Sequence, residues 1–127
     1  MTNSEFIKIC AALIMIFLHI VDDYYLQAQG VLGNLKQKEW WEKNYPDKKY
    51  SFDYLVGLFM HAFSWTFMIM LPAMLNGYFP IWLFGLNVII HATVDDLKAN
   101  KKSINLLIDQ TIHIIQILFT WFICFII

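Results

Sequence analysis

Polar and apolar positions separate along this chain into long blocks. Apolar runs extend from about Phe6 to Gln27, from Asp53 to Asn76, from Pro80 to Lys98 and from Ile104 to Ile127. Each approaches or exceeds the ~20 residues that a helix needs to cross a bilayer core of about 30 Å. The stretch 28–52 between the first two is too polar to span, but Trp40, Trp41, Tyr45 and Tyr50 among lysines suit the headgroup level of a membrane. Asn76 and Gly77 followed by Pro80 predict a short turn, and Pro80 suits a helix start. Residues 99–103 make a tight polar connection with Ser103 as N-cap. The pattern predicts one domain over residues 1–127, an all-α membrane protein: a four-transmembrane-helix bundle with an interfacial segment between helices 1 and 2.

Composition agrees. The 127 residues are 59% hydrophobic and only 15% charged, where soluble domains are about a quarter charged. A net charge of -1 and the lack of any nucleic-acid motif exclude a polyanion-binding protein. All nine basic residues are lysine, which fits an AT-rich bacterial or phage genome. The first run has no basic leader region or small-residue cleavage site, so it reads as a retained span rather than a signal peptide. Cys10 and Cys124 lie in apolar runs and make no disulfide or zinc-finger spacing. Lys36, Lys38, Lys43, Lys48 and Lys49 share a side with Lys101 and Lys102, and the positive-inside rule makes that side cytoplasmic. The expectation is a multi-pass protein of the cytoplasmic (inner) membrane with both termini outside.

Against this background the charged and imidazole residues of the spans are conspicuous. Span one carries His19-x3-Asp23, span three His91-x3-Asp95 and span four Asp109-x3-His113. The i,i+4 spacing puts both side chains on one helix face. The reversed order in span four is cancelled by its reversed direction, so in all three the Asp lies nearer the cytoplasm. With His61 from span two, all four histidines fall on one level, about 12–15 Å along their spans, with the Asp level about 6 Å nearer the cytoplasm. Gly57 occupies the position where span two would supply an Asp, which predicts an open side and an entrance there.

A lone intramembrane His is most often a packing residue, and Asp22, Asp23, Asp95 and Asp96 taken singly read as helix ends at the headgroups. Jointly they read differently. Each central Asp costs about 3 kcal/mol on the insertion scale, so several unpaired ones are hard to tolerate. A divalent cation would neutralise them while accepting imidazole nitrogens. The predicted ligands are His19, Asp23, His61, His91, Asp95, Asp109 and His113, holding one or two ions, with zinc or a similar first-row metal favoured by mixed N/O ligation. Gln27 and Gln110 are placed to orient the carboxylates; Asp22 and Asp96 point off the main face and are peripheral. Lys98, one turn beyond Asp95, could hold a phosphate or simply snorkel to the interface. The five tryptophans read as interface anchors or packing residues.

The combination His19-x3-Asp23-Tyr-x2-Gln27, His61, His91-x3-Asp95-x2-Lys98 and Asp109-Gln110-x2-His113 resembles a family of small bacterial and phage polytopic membrane proteins classed as a domain of unknown function. More distantly it is similar to proteins described as membrane-bound metal-dependent hydrolases. That resemblance implies hydrolysis of an ester or phosphoester in a lipid-like or phosphorylated small-molecule substrate near the cytoplasmic leaflet. Asp23, Asp95 or Asp109 would act as ligand or general base and Lys98 would hold a phosphate. Two alternatives use the same residues: a proton or metal-cation transporter, and a bacterial or phage accessory protein with a structural metal. The lipid bilayer is the expected partner, a homo-oligomer is compatible with the pattern, and nucleic acid is not expected.

Overall fold

The computed structural model describes residues 2–27 and 31–127. Among them every regular element is helical: α1 (Asn3–Val21), α2 (Val31–Leu35), α3 (Lys38–Asn44), α4 (Asp53–Leu75), α5 (Ile81–Ala99) and α6 (Leu106–Phe125). Residues 28–30, the start of the predicted interfacial stretch, lie outside the described residues.

The helix starts follow local chemistry. Thr2 and Glu5 form a reciprocal capping box on α1, Thr2 Oγ1 accepting from the Glu5 N–H at 3.2 Å and Glu5 Oε2 from the Thr2 N–H at 2.7 Å. Pro80 precedes α5 and its carbonyl accepts from the Leu83 and Phe84 amides. At α6 the predicted cap is displaced by two residues. Asn105, not Ser103, accepts from the Ile108 amide at 2.9 Å. Ser103 instead closes the preceding helix, its N–H and hydroxyl both donating to Leu97 O, after Lys102 has turned the chain with a left-handed φ of 53°. Gly77 makes the other tight turn at φ 81°, a region glycine enters without steric cost.

The four long helices form a closed ring, with α4 packed on α1 and α5, and α6 on α1 and α5. The apolar core of Met15, Ala62, Trp65, Ile69, Met70, Leu83, Phe84, Val88 and Ile117 fills one part of its interior. The rest is polar: the four histidines, Asp22, Asp95, Asp109, Asn87 and Gln116 are all buried. The outside is the reverse, with Leu13 63%, Ile89 66% and Leu107 75% exposed. A contiguous apolar exterior around a polar interior is what a lipid solvent selects. Three helical stretches, Asn3–Leu26, Lys48–Leu75 and Leu106–Phe125, are long and apolar enough to cross a membrane. The fourth long helix, α5, is 19 residues long but carries Asp95, Asp96 and Lys98 near its end.

Candidate metal centre

The last turns of α1 are not α-helical. Asp22–Leu26 forms a π-helical turn, closed by the Gln27 amide on Asp22 O. The added residue per turn stacks Gln27 over Asp22, and such turns concentrate at functional sites. Asp22, three residues after His19 and so beside it on the helix surface, is fully buried, accepting from Ser64 Oγ at 2.9 Å and from the Gln27 side chain. This corrects the peripheral, outward placement expected for Asp22. Asp23 also faces inward, its Oδ2 3.4 Å from His19 Nδ1 and its Oδ1 3.7 Å from His61 Nε2.

Because the Gln27 amide donates to Asp22, its oxygen faces His61 and accepts from His61 Nδ1. The hydrogen-bond network therefore assigns the proton of a neutral His61 to Nδ1 and leaves the Nε2 lone pair pointing into the bundle. A parallel assignment holds across the ring. His113 Nε2 lies 3.2 Å from Asp95 Oδ1, to which it donates, and 3.3 Å from Asp109 Oδ1. With His113 neutral, its Nδ1 then accepts from His91 Nδ1 at 3.2 Å. That leaves the His91 Nε2 lone pair facing His61 Nε2 at 3.1 Å.

Two lone pairs so close repel unless a cation or proton lies between them. Asp95 adds to the same spot, with Oδ2 2.8 Å from His61 Nε2 and Oδ1 3.7 Å from His91 Nε2. Asp23 Oδ1, buried and without a hydrogen-bond partner, aims there as well. The separation of 3.1 Å is one that two imidazoles make when both bind one ion at ~2.0–2.1 Å. The residues fit a metal. Two groups have ligand atoms all within 4.8 Å of one another: half-buried Asp23 with buried His61 and His91, and the buried His91, Asp95 and His113. They share His91 and so form one overlapping cluster. The chemistry of the donors does not single out one metal.

The remaining predicted residues are close by but otherwise engaged. His19 Nδ1 accepts from Trp65 Nε1 at 2.7 Å, which directs His19 Nε2–H to Gln110 Oε1 at 3.0 Å. Gln110 in turn donates to Asp109 Oδ2 at 2.9 Å, so each glutamine links a carboxylate to an imidazole, as Gln27 does. Lys98 donates to Asp109 Oδ2 at 2.7 Å. Asp96 lies outside the cluster, accepting from Asn100 Nδ2 at 2.8 Å and pairing with Lys101 at 3.4 Å.

Gly57 is not an entrance. A Cβ there would lie 2.3 Å from Leu35 O and 2.8 Å from Lys36 N, because the backbone after α2 packs directly on it. That segment is pinned by Trp41 Nε1 donating to Leu35 O and by Asn100, which donates to Lys36 O and accepts from Lys38 N. It delivers Lys36 into the ring, Nζ 2.6 Å from Asp95 Oδ2 and 3.2 Å from His61 Nε2.

Lys36 and Trp65 are the site residues that sequence spacing missed. Trp65 is four residues from His61 on the same face, and that i,i+4 relation was available as a signal; it is fully buried and stacks on His91 at 4.0 Å. Nothing in the local pattern marks Lys36. One turn from His91 a second polar layer runs through Asn87, whose Nδ2 donates to Thr120 Oγ1 at 2.9 Å and whose Oδ1 accepts from Gln116 at 2.8 Å. No protein-family model, curated protein or solved structure matches the chain.

Proposed function

We propose that this is a four-span membrane protein that binds one divalent first-row ion, of zinc type, through His61, His91, Asp23 and Asp95. In this reading it hydrolyses an ester or phosphoester of a lipid-like substrate at the cytoplasmic leaflet. One observation carries the metal: the Nε2 atoms of His61 and His91 lie 3.1 Å apart beside the Asp95 carboxylate. The inverted polarity of the bundle supports the membrane. For α5 as the fourth span, its ~28 Å length supports crossing, and its charges are gathered at one end, where Asp95 turns into the cluster. The lysine bias of the connections supports a cytoplasmic site, and the motifs support kinship with the small bacterial and phage membrane proteins they resemble.

A bound ion of this kind supplies a Lewis acid and a water of lowered pKa. The chain's own residues do the rest. Gln27, held by Asp22, fixes the tautomer and orientation of His61. Trp65 fixes the plane of His91 by stacking. Asp23 Oδ1, buried beside His61 with no partner, serves as ligand or takes a proton from an attacking water. The Lys98–Asp109 pair holds Asp109 against His113. The test is turnover of fluorogenic ester and phosphoester lipid analogues by zinc-loaded protein in micelles. Hydrolysis abolished by His91→Ala is expected; equal rates in both proteins would reject the enzyme reading.

A second reading, cation or proton transport, draws on the Asn87, Gln116 and Thr120 layer, which extends the polar interior beyond His91. Met15, Ile69, Ala73 and Leu83, fully buried apolar residues, oppose a continuous pathway. Ion flux in proteoliposomes that is lost in His91→Ala would favour it over hydrolysis.

A further inference from the structure

We propose that Lys36 is the resident cation of the cluster and that a metal ion enters only by displacing its ammonium, so that this residue sets the affinity of the site. The inference rests on the metal reading above. Lys36 Nζ contacts two of the four atoms assigned to the ion, Asp95 Oδ2 at 2.6 Å and His61 Nε2 at 3.2 Å. An ion bound to those same atoms at ~2.0–2.2 Å would lie within about 4 Å of the ammonium wherever it sat around them. The contact is buried on the acceptor side, with Asp95 5% and His61 3% exposed, so water screens the like charges poorly. Ammonium and ion therefore exclude each other.

The placement of Lys36 is built, not incidental. Gly57 has no Cβ, and that is what lets the Leu35–Lys36 backbone lie on α4. Trp41 holds Leu35 O, and Asn100, itself held by Asp96, grips the chain on both sides of Gln37. A side chain from a cytoplasm-facing connection thus neutralises Asp95 inside the ring. The lysine stem is long enough to swing its head back out while these backbone contacts persist, its side chain being already 19% exposed. The site then has two charge-balanced states, lysine-in and metal-in, and the connection carries the exchangeable cation.

The test titrates Zn2+ alone into the full chain in lipid nanodiscs, for wild type, Lys36→Met and Lys36→Gln. The glutamine variant keeps a donor for Asp95 if the methionine variant folds poorly. Lysine acylation followed by mass spectrometry runs in parallel, with exposed Lys43 as the internal reference. Either variant is expected to bind Zn2+ about tenfold more tightly or better than wild type. In wild type, Zn2+ is expected to raise Lys36 labelling several-fold relative to Lys43. Wild type that binds Zn2+ with variants no tighter and Lys36 labelling unchanged would overturn the displacement and leave the metal site standing. No Zn2+ binding by any of the three proteins would overturn both.

Discussion

Gly57→Ala is the sharpest single probe of how the cluster is closed. The substitution adds one methyl group to a helix, where alanine is ordinarily better than glycine by about 0.8–1 kcal/mol. Here the methyl carbon would sit 2.3, 2.5 and 2.8 Å from Leu35 O, Leu35 C and Lys36 N. Ordinary contact needs roughly 3.4 Å or more between such atoms, so backbone rather than a flexible side-chain tip must retreat by about 1 Å. Overpacking of that kind costs about 1–3 kcal/mol. The retreat also strains the Trp41 bond to Leu35 O and the charge-assisted Lys36 bond to Asp95, worth about 1 and about 1.5–3 kcal/mol respectively. The clash outweighs the propensity gain, and a net loss of about 1–3 kcal/mol is expected. Thermal unfolding in mild detergent, followed by circular dichroism, reads the sign. Hydrogen exchange at the amides of residues 36–38 should quicken in the same variant. A variant that melts higher than wild type, by the amount helix propensity predicts, would refute the packing of this segment on α4 and restore an open face at Gly57.

Other substitutions test the remaining parts. Trp65→Phe removes the donor to His19 Nδ1 and leaves a buried imidazole lone pair unpaired, at a cost of about 1–3 kcal/mol; a lower melting temperature and a changed His19 15N shift are expected, and an unchanged shift would reject the assigned tautomer. Asn87→Leu should cost about 1 kcal/mol, because Gln116 and Thr120 keep part of their bonding to backbone carbonyls and interhelical hydrogen bonds in membranes are individually modest. Asn105→Ala should also cost about 1 kcal/mol as a lost N-cap, measured by thermal unfolding, whereas Ser103→Ala should cost less than half of that.

The apolar blocks made the four long helices legible, since their length and hydropathy are local properties. The convergence of His19, His61, His91 and His113 was legible for a related reason: i,i+4 spacing with alternating helix direction fixes both face and depth. Asp22 was misplaced because the i,i+4 pattern of His19 and Asp23 drew attention from its i,i+3 place beside His19, and because its partners Ser64 and Gln27 come from another helix and from the π-helical turn. Gly57 was rightly seen as a gap, but a gap is filled by whatever the tertiary structure brings to it. Leu35 and Lys36 arrive from more than twenty residues away in the chain, along a connection with no regular pattern. Lys98 and Asp109 illustrate the same limit, because their pairing joins two helices across a turn whose cap lies at Asn105 rather than Ser103.

His61 and His91 turn their Nε2 atoms to one shared cation position, which the Lys36 ammonium borders, while both ring nitrogens of His19 are already committed. Metal content of detergent-purified protein, measured by mass spectrometry after zinc loading and desalting, tests it directly in wild type, His19→Ala, His61→Ala and His91→Ala. One ion per chain is expected in wild type and in folded His19→Ala, and none in His61→Ala or His91→Ala. Folded wild-type protein that retains no metal, or a His91→Ala variant that retains as much as wild type, would contradict it.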